Sequence, residues 1–364
     1  MTYKQYWYWL QNIPGIGRKK TAALLQYFSS PRDIFYASEA ELIKIGGIGK
    51  KDVRNILESR NQEHIKEQYG QMEKKGIRFV TAYEEIFPER LKHIYDAPYA
   101  LYYRGGLPSN EKKAIAIVGA RECSSYGQEV AGYFGRELAK AGFYIISGLA
   151  RGIDVCAHRG ALSAQRATYA VMGCGIDICY PASHMETYMQ MIEKGGILSE
   201  YPVGVLPQPG LFPERNRIIS GLCDGILVVE AKERSGSLIS AELALEQGRD
   251  VFAVPGRIRD ALSAGTNRLI AQGAVPVMDA ADIIEYYSIR MPVKQPKVKK
   301  SNSLLEKGET MVYASLGLMP RHVDEIAKEC NLSVVSAMKV LMQLECEGLI
   351  RQDVPCYYSR KMLE

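Results

Sequence analysis

Residues 114–120 read AIAIVGA, a short β-branched and apolar run that ends in a glycine turn. The pattern returns five more times, and each run leads through a Gly- or Pro-containing turn into a helix-like stretch. The further runs are FYIISG from Phe143, ATYAVMG from Ala167, GILSEYP from Gly196, GILVVEA from Gly225 and DVFAVPG from Asp250. Runs that are apolar on both faces and alternate with helices indicate a parallel sheet covered on both sides. We therefore predict an α/β protein with a Rossmann-like, doubly wound parallel sheet.

The sequence on either side of this sheet predicts two smaller domains. The first residues form a Tyr-rich helical region whose turns IPGIG, from Ile13, and IGGIG, from Ile45, resemble paired helix-hairpin-helix motifs of the SAM-like type. From Leu304 onward, three helix-like segments and a final ribbon follow the order of a winged helix. We predict a helical domain over 1–75, the Rossmann-like domain over 76–287 with its core at 112–285, a basic linker over 288–303 and a winged helix over 304–364.

Composition limits the class of protein. The 364 residues are 47% hydrophobic and 24% charged, which permits at least one large core. The eight cysteines form no C-x-x-C pair, so neither zinc nor disulfides are expected. The first twenty residues lack an export-signal pattern, and no stretch approaches the roughly 20 apolar residues that span a bilayer. We expect a cytoplasmic protein with no membrane partner, and the net charge of +5 permits a polyanionic one.

The candidate binding residues follow the predicted strands. In an open parallel sheet, ligands bind outside the carboxyl ends of the strands, at the row of loops that we call the crest. The first loop begins Gly119-Ala120-Arg121 and lacks the G-x-G-x-x-G spacing, so an ordinary NAD site is not expected. The second loop carries two glycines for close backbone approach and an arginine for a phosphate; its residues are Ser147, Gly148, Leu149, Ala150, Arg151 and Gly152.

Two further loops add an aromatic ring, cations and small polar residues. Phe212 precedes Arg215, Asn216 and Arg217, which is the combination of stacking ring and phosphate-binding cations that a single nucleic-acid strand needs. Ser235, Gly236 and Ser237 stand at a predicted helix N-terminus, where backbone donors suit an anion. A plain turn at 147–154, a core position for Phe212 with solvated arginines, and a simple N-cap at Ser235 stay open as alternatives.

The sequence shows no carboxylate dyad, no His-paired nucleophile and no metal cluster, so neither catalysis nor a metal or cofactor is expected. His158 and His184 have no Cys or Ser partner at motif spacing, which favours a structural or anion-contacting role.

These residues form ordered blocks that resemble the bacterial DNA-processing protein A family, also called DprA or Smf. The blocks are IVGAR from Ile117, SGLARGID from Ser147, GCGID from Gly173, SEYP from Ser199, FPERNRIISG from Phe212, SGSLI from Ser235 and VPG from Val254. Where members often have Gly-Gly-Lys-Thr before the third strand, this chain has Gln165-Arg166-Ala167-Thr168, and Ala182 to His184 also depart from the usual pattern.

The resemblance implies a non-enzymatic protein of natural transformation that binds and protects incoming single-stranded DNA and helps to load the RecA recombinase. It implies phosphate contacts from Arg121, backbone contacts from residues 148–152 and 235–237, and a strand path along Phe212, Arg215 and Asn216. Arg166 is expected to supply the shifted cation. The family's homodimer face would correspond to Asn267 through Ala274, with Ile270 central, and single-strand-binding protein is a further expected partner.

Two other functions are open alternatives. The first is a nucleotide-processing enzyme of the lysine-decarboxylase-like phosphoribohydrolase group, which needs a glycine-rich loop followed by a glutamate. Arg234-Ser235-Gly236-Ser237 with Glu242 beyond is the nearest segment here, although the doubled glycine of that group's loop is absent. The second is a transcription regulator that reads duplex DNA with the winged helix, whose recognition helix, 333–345, carries only Lys339 as a cation.

Overall fold

A computed structural model describes residues 1–287 and 307–361, with side chains omitted at 307 and 308. Within these ranges the chain forms two compact units, one of residues 1–123 with 130–287, and one of residues 307–361 with the short segment 124–129. The predicted linker at 288–303 lies outside the described residues. No helix in the described part of the chain is long and apolar enough to cross a membrane.

The N-terminal domain consists of six helices: α1 (Tyr3–Gln11), α2 (Arg18–Tyr27), α3 (Pro31–Tyr36), α4 (Glu39–Leu42), α5 (Lys50–Glu58) and α6 (Gln62–Lys74). Thr2, Ser30, Ser38 and Asn61 accept hydrogen bonds at helix N-termini, which fixes where four of these helices begin. The two glycine turns lie immediately before α2 and α5, as the helix-hairpin-helix pattern predicts.

The central sheet has nine strands: β1 (Arg78–Thr81), β2 (Ala100–Gly105), β3 (Ala114–Val118), β4 (Tyr144–Ser147), β5 (Thr168–Met172), β6 (Gly196–Ser199), β7 (Gly225–Val228), β8 (Asp250–Ala253) and β9 (Val275–Pro276). Their order is β1-β2-β6-β5-β4-β3-β7-β8-β9. The seven strands from β6 to β9 are parallel, and β2 joins them antiparallel through β6. All six predicted runs are strands of this parallel part.

Helices cover both faces of the sheet: α7 (Glu89–Lys92), α8 (Ser125–Lys140), α9 (Ile153–Ser163), α10 (Met185–Lys194), α11 (Leu211–Leu222), α12 (Gly236–Glu246), α13 (Ala264–Ala271) and α14 (Ala280–Tyr286). Successive residues of β5 point to opposite faces, so Ala170 and Met172 pack in one core while Tyr169 and Val171 pack in the other. The chain reverses its winding between β3 and β7, which is the switch point where such sheets bind ligands.

The first of these cores is shared with the helical domain. Trp7 stacks on Tyr99 with ring centroids 5.6 Å apart, and the Tyr8 ring lies 5.7 Å from that of Phe79. The Asn12 amide donates to the Tyr102 hydroxyl at 2.7 Å. The helical domain and the sheet therefore form one packed body.

The C-terminal domain is a winged helix made of α15 (Lys307–Ser315), β10 (Arg321–His322), α16 (Val323–Glu329), α17 (Val334–Cys346), β11 (Ile350–Val354) and β12 (Tyr357–Arg360). Its core contains Val312, Ile326, Leu341, Leu344 and Tyr358. Ser333 caps α17, in agreement with the predicted recognition helix.

Candidate nucleic-acid interface

The crest is built by loops that bond directly to one another. In the loop after β3, the Ala120 amide donates to the Glu230 carbonyl at 2.7 Å, and the Ala120 carbonyl accepts from the Ile153 amide at 3.3 Å. These bonds join the β3 loop to the β7 loop and to the start of α9. Arg121 follows directly and is exposed. Its guanidinium therefore stands at the switch point on a fixed backbone.

The loop after β4 is shaped by a buried carboxylate. One Asp154 oxygen accepts from the amides of Gly148 at 3.1 Å and Ala150 at 3.4 Å. Burial raises the pKa of Asp154, although the Arg215 guanidinium and these amides act in the opposite direction. Gly152 has a φ of +76°, and a Cβ at this residue would lie 2.3 Å from the Ala120 carbonyl oxygen, so only glycine fits there.

The residues predicted in this loop separate into buried and exposed ones. Ser147, Gly148 and Leu149 are buried, whereas Arg151 is exposed and Ala150 and Gly152 are partly exposed. Asp154 already takes the amides of Gly148 and Ala150, and the described residues supply no acceptor for those of Leu149, Arg151 and Gly152. Of these three residues, Leu149 is buried and the other two reach the surface. An anion at this loop would therefore meet Arg151 and the backbone after it.

Arg215 lies beneath the crest. Its side chain is buried, and its guanidinium donates to the carbonyls of Gly148, at 3.0 Å, and Val171. A Cβ on residue 148 would lie 2.3 Å from Arg215 Nη1, which explains the glycine at that position. Arg215 thus holds the β4 loop against the end of β5 from below.

Arg217, the second predicted arginine of this helix, is bound within the protein. Its guanidinium pairs with Glu200 at 2.5 Å and with Asp96 at 3.3 Å, and its side chain is 6% exposed. Asn216, between the two arginines, is partly exposed. The arginines of FPERNR therefore face inward, while Asn216 reaches the surface.

Two aromatic rings and an arginine meet on the crest. The Arg121 guanidinium carbon lies 5.3 Å from the centre of the Phe212 ring, a cation–π arrangement. The exposed Tyr180 ring lies 5.7 Å from Phe212 at an interplanar angle of 33°. The predicted site did not include Tyr180; its signal was an aromatic residue on the loop after β5, where the topology rule places ligand contacts.

The remaining loop on this side caps α12. The Ser235 hydroxyl accepts from the Ser237 amide at 3.4 Å and lies 2.8 Å from the Ser237 hydroxyl. Ser237 is buried and Gly236 is exposed. Exposed cations precede the cap at Lys232 and Arg234. Ser235 therefore acts as an N-cap, and Gly236 with its flanking cations forms the exposed part of the loop.

Arg166 lies away from the other candidates. It precedes β5, so it lies at the amino-terminal edge of the parallel strands, whereas the crest is at their carboxyl ends. The structure therefore separates Arg166 from the other predicted site residues, because it precedes its strand whereas the crest loops follow theirs.

The two histidines are structural in different ways. Thr168 donates its hydroxyl proton to the Ile145 carbonyl, so His158 Nδ1 must be the donor in its 2.7 Å contact with Thr168 Oγ1. Burial, assisted by the Arg215 guanidinium, lowers the pKa of His158 to about 3. His184 Nδ1 lies 3.0 Å from the Leu149 carbonyl and thereby supports the crest loop.

We expect the free energy of unfolding to depend less steeply on pH below about 6.5 in the His158→Asn variant than in the unaltered protein. An unfolded imidazole has a pKa of about 6.5, so between that value and the folded pKa of about 3 the unfolded chain binds one more proton. The free energy of unfolding therefore falls as the pH drops below about 6.5, by up to about 1.4 kcal/mol per pH unit for this group. Thermal melts across this range should show a shallower fall for the variant, and parallel curves would contradict the assignment.

Three family models match the chain. DNA recombination-mediator protein A matches residues 78–288, a SAM-like helix-hairpin-helix tandem matches 10–61, and the DprA winged helix domain matches 296–353. Protein Smf from Synechocystis is 31% identical over 391 residues, covering 98% of each chain.

The chain belongs to the DNA recombination-mediator protein A family. The DprA crystal structure from Streptococcus pneumoniae superposes with a TM-score of 0.66 at 32% identity, covering 80% of this chain and all of that one. DNA processing protein A from Helicobacter pylori, whose structure was described for its single-stranded DNA binding mode, covers 58% of this chain and 95% of its own, with a TM-score of 0.52 at 30% identity. The predicted family and fold are thereby confirmed.

Proposed function

We propose that this DprA-family chain binds single-stranded DNA along the crest, between Phe212 and the β7 loop. The observation that carries the proposal is the exposed Arg121 guanidinium against the Phe212 ring, with Tyr180 beside it. Rings stack on bases and guanidinium groups bind phosphates, so this cluster offers both contacts that a single strand presents. The exposed Arg151 and Arg234 lie on neighbouring loops and extend the positive rim.

The direct test compares oligo-dT with a blunt duplex of equal length by fluorescence anisotropy. We expect tighter binding of the single strand because a duplex hides its base faces from the rings. Affinity should also fall with salt, with a slope of about −0.7 for each phosphate neutralised. Equal affinity for both ligands would count against the proposal.

We propose further that the bound strand is passed to the RecA recombinase during natural transformation, in the cytoplasm. The family's description as a recombination mediator supports this role. Faster assembly of RecA filaments on DNA coated with single-strand-binding protein, in the presence of this chain, is the result expected of a mediator.

A homodimer through α13 is part of the proposal. Ile270 on this helix is partly exposed, as an interface residue must be. The Asn267 amide, in contrast, exchanges two hydrogen bonds with the Gly256 backbone, at 3.0 and 3.1 Å. We therefore assign Ile270 to the contact between protomers, and Asn267 to holding the loop between β8 and α13 in place.

We propose a binding protein without catalytic activity, and the hydrolase is the second candidate. A cavity of about 420 Å³ between α12 and α13 is lined by Glu242, Arg234 and Ser235, among other residues. This grouping is the observation that favours a nucleotide-processing site. Release of free base from a nucleoside monophosphate by the purified protein would support the hydrolase.

The winged helix is proposed to contact protein. Within α17, Lys339 is the only cation, whereas Val335 is 80% and Met342 is 59% exposed. A helix that reads duplex DNA is normally rich in basic and amide side chains. Its apolar exposed face suits a protein partner better.

A further inference from the structure

The loop between β8 and α13 presents two arginines and an isoleucine on the crest. Arg257 and Arg259 are exposed, and Ile258 between them is 91% exposed. Neither guanidinium has an ion-pair partner among the residues that the structure describes. A single exposed aliphatic residue is ordinary by itself. Here it stands between these two cations at the edge where open parallel sheets bind ligands.

Hydrogen bonds hold the turn that carries these three residues in place. The Asn267 side-chain amide donates to the Gly256 carbonyl and accepts from the Gly256 amide. The Asp260 amide closes the turn on the Arg257 carbonyl at 3.1 Å, and the Leu262 carbonyl accepts from Ala231 at 2.7 Å. The three side chains are therefore presented together by an ordered backbone, so ligand binding would not have to order the loop first.

The turn also continues the rim that carries Arg121. Ala231 joins the β8 loop to the β7 loop, and Glu230 of the β7 loop accepts from Ala120. β8 lies two positions from β3 and four from β5 in the sheet. At a strand spacing of about 4.8 Å, these separations are roughly 10 and 19 Å, a distance that a few nucleotides can bridge.

We propose that Arg257, Ile258 and Arg259 form a second contact for the same single DNA strand, beyond the Arg121 and Phe212 cluster. The two guanidinium groups bind successive phosphates, and the Ile258 side chain packs against a base face, as apolar side chains do when they insert at base steps. The inference rests on the proposed single-strand binding and extends its footprint from β5 to β8.

The test uses the full chain with the double variant Arg257→Gln/Arg259→Gln and oligo-dT of two lengths, about 2 and about 20 nucleotides, which lie below and above common site sizes. For the longer strand we expect affinity to fall about tenfold or more at low salt, and the salt slope to shrink by about 1.4, or 0.7 for each lost phosphate contact. Affinity for the short strand, which the Arg121 cluster can hold alone, should not change.

The matched control is Lys140→Gln/Arg166→Gln, which removes the same charge from exposed positions at the opposite edge of the sheet. It should bind both strands like the unaltered protein. An Ile258 side chain that inserts at a base step unstacks a neighbouring 2-aminopurine in the longer strand and raises its fluorescence, so Ile258→Ser alone should reduce this rise without changing the salt slope.

Equal affinity and slope for the turn variant and the unaltered protein on the longer strand would overturn the inference. So would a change in molecular mass by light scattering with strand binding intact, because the turn would then contact a second copy of the chain. Failure of the unaltered protein to bind any single strand would instead refute the proposed function, and the inference with it.

Discussion

Replacing Arg121 and Phe212 together by alanine is expected to lower affinity for oligo-dT on the order of a hundred- to a thousandfold. The double variant loses one charge-assisted phosphate contact, worth about 1.5–3 kcal/mol, and one stacking platform, worth about 1–3 kcal/mol. Arg121 lies exposed on a loop and Phe212 lies partly exposed in the first turn of α11, so the fold should persist. Anisotropy titrations at fixed salt, with a thermal melt of each variant, measure the two quantities.

The losses of binding free energy in the two single variants are not expected to sum to that of the double variant. The Arg121 guanidinium carbon lies 5.3 Å from the centre of the Phe212 ring, so each side chain supports the other. Arg166→Ala is the control for charge loss, since this residue is exposed at the opposite edge of the sheet. A double variant with an unaltered melting temperature and unaltered affinity would exclude the crest as the binding site.

Arg217→Ala is expected to destabilise the protein by about 3 kcal/mol while leaving the affinity of the folded fraction for DNA unchanged. The substitution leaves the Glu200 carboxylate, whose side chain is only 15% exposed, without its ion-pair partner, and it removes one partner of Asp96. Breaking a buried ion pair from one side costs more than the pair contributes, because a charge is left in a poorly solvated site. Thermal or urea melts should show the loss.

Arg234→Ala is the matched control for stability, since Arg234 is exposed and its loss should leave the melting temperature unchanged. An Arg217→Ala protein of normal stability that binds DNA poorly would contradict this prediction. It would show that Arg217 contacts DNA, as the sequence predicts.

The sequence identified the parallel sheet because its strands carry a local signature. AIAIV at 114–118 and GILV at 225–228 are apolar on both faces and lead into glycine turns, and both are fully buried strands. β1 (RFVT) and β2 (ALYYRG) were not predicted, because neither sequence alternates with a long helix or ends in such a turn. Their pairing at the sheet edge depends on contacts with the helical domain, which no local pattern records.

The crest was predictable from topology, whereas the burial of its arginines was not. Arg121 and Arg151 reach solvent from loops, as expected. Arg215 and Arg217 lie on one helix, and their burial depends on Gly148, Glu200 and Asp96, which are distant in sequence. Only the folded chain brings these groups together, so residue type and spacing could not distinguish an inward arginine from an outward one.

The rings that join the helical domain to the sheet make the first 74 residues inseparable from the rest. Trp7 and Tyr8 cover Tyr99, Phe79 and Tyr102, so a chain trimmed before β1 would turn an aromatic surface toward water. Such a surface drives self-association. Any shorter version made for crystallography or for domain-swap experiments would therefore need polar replacements at these rings before it behaved as a single species in solution.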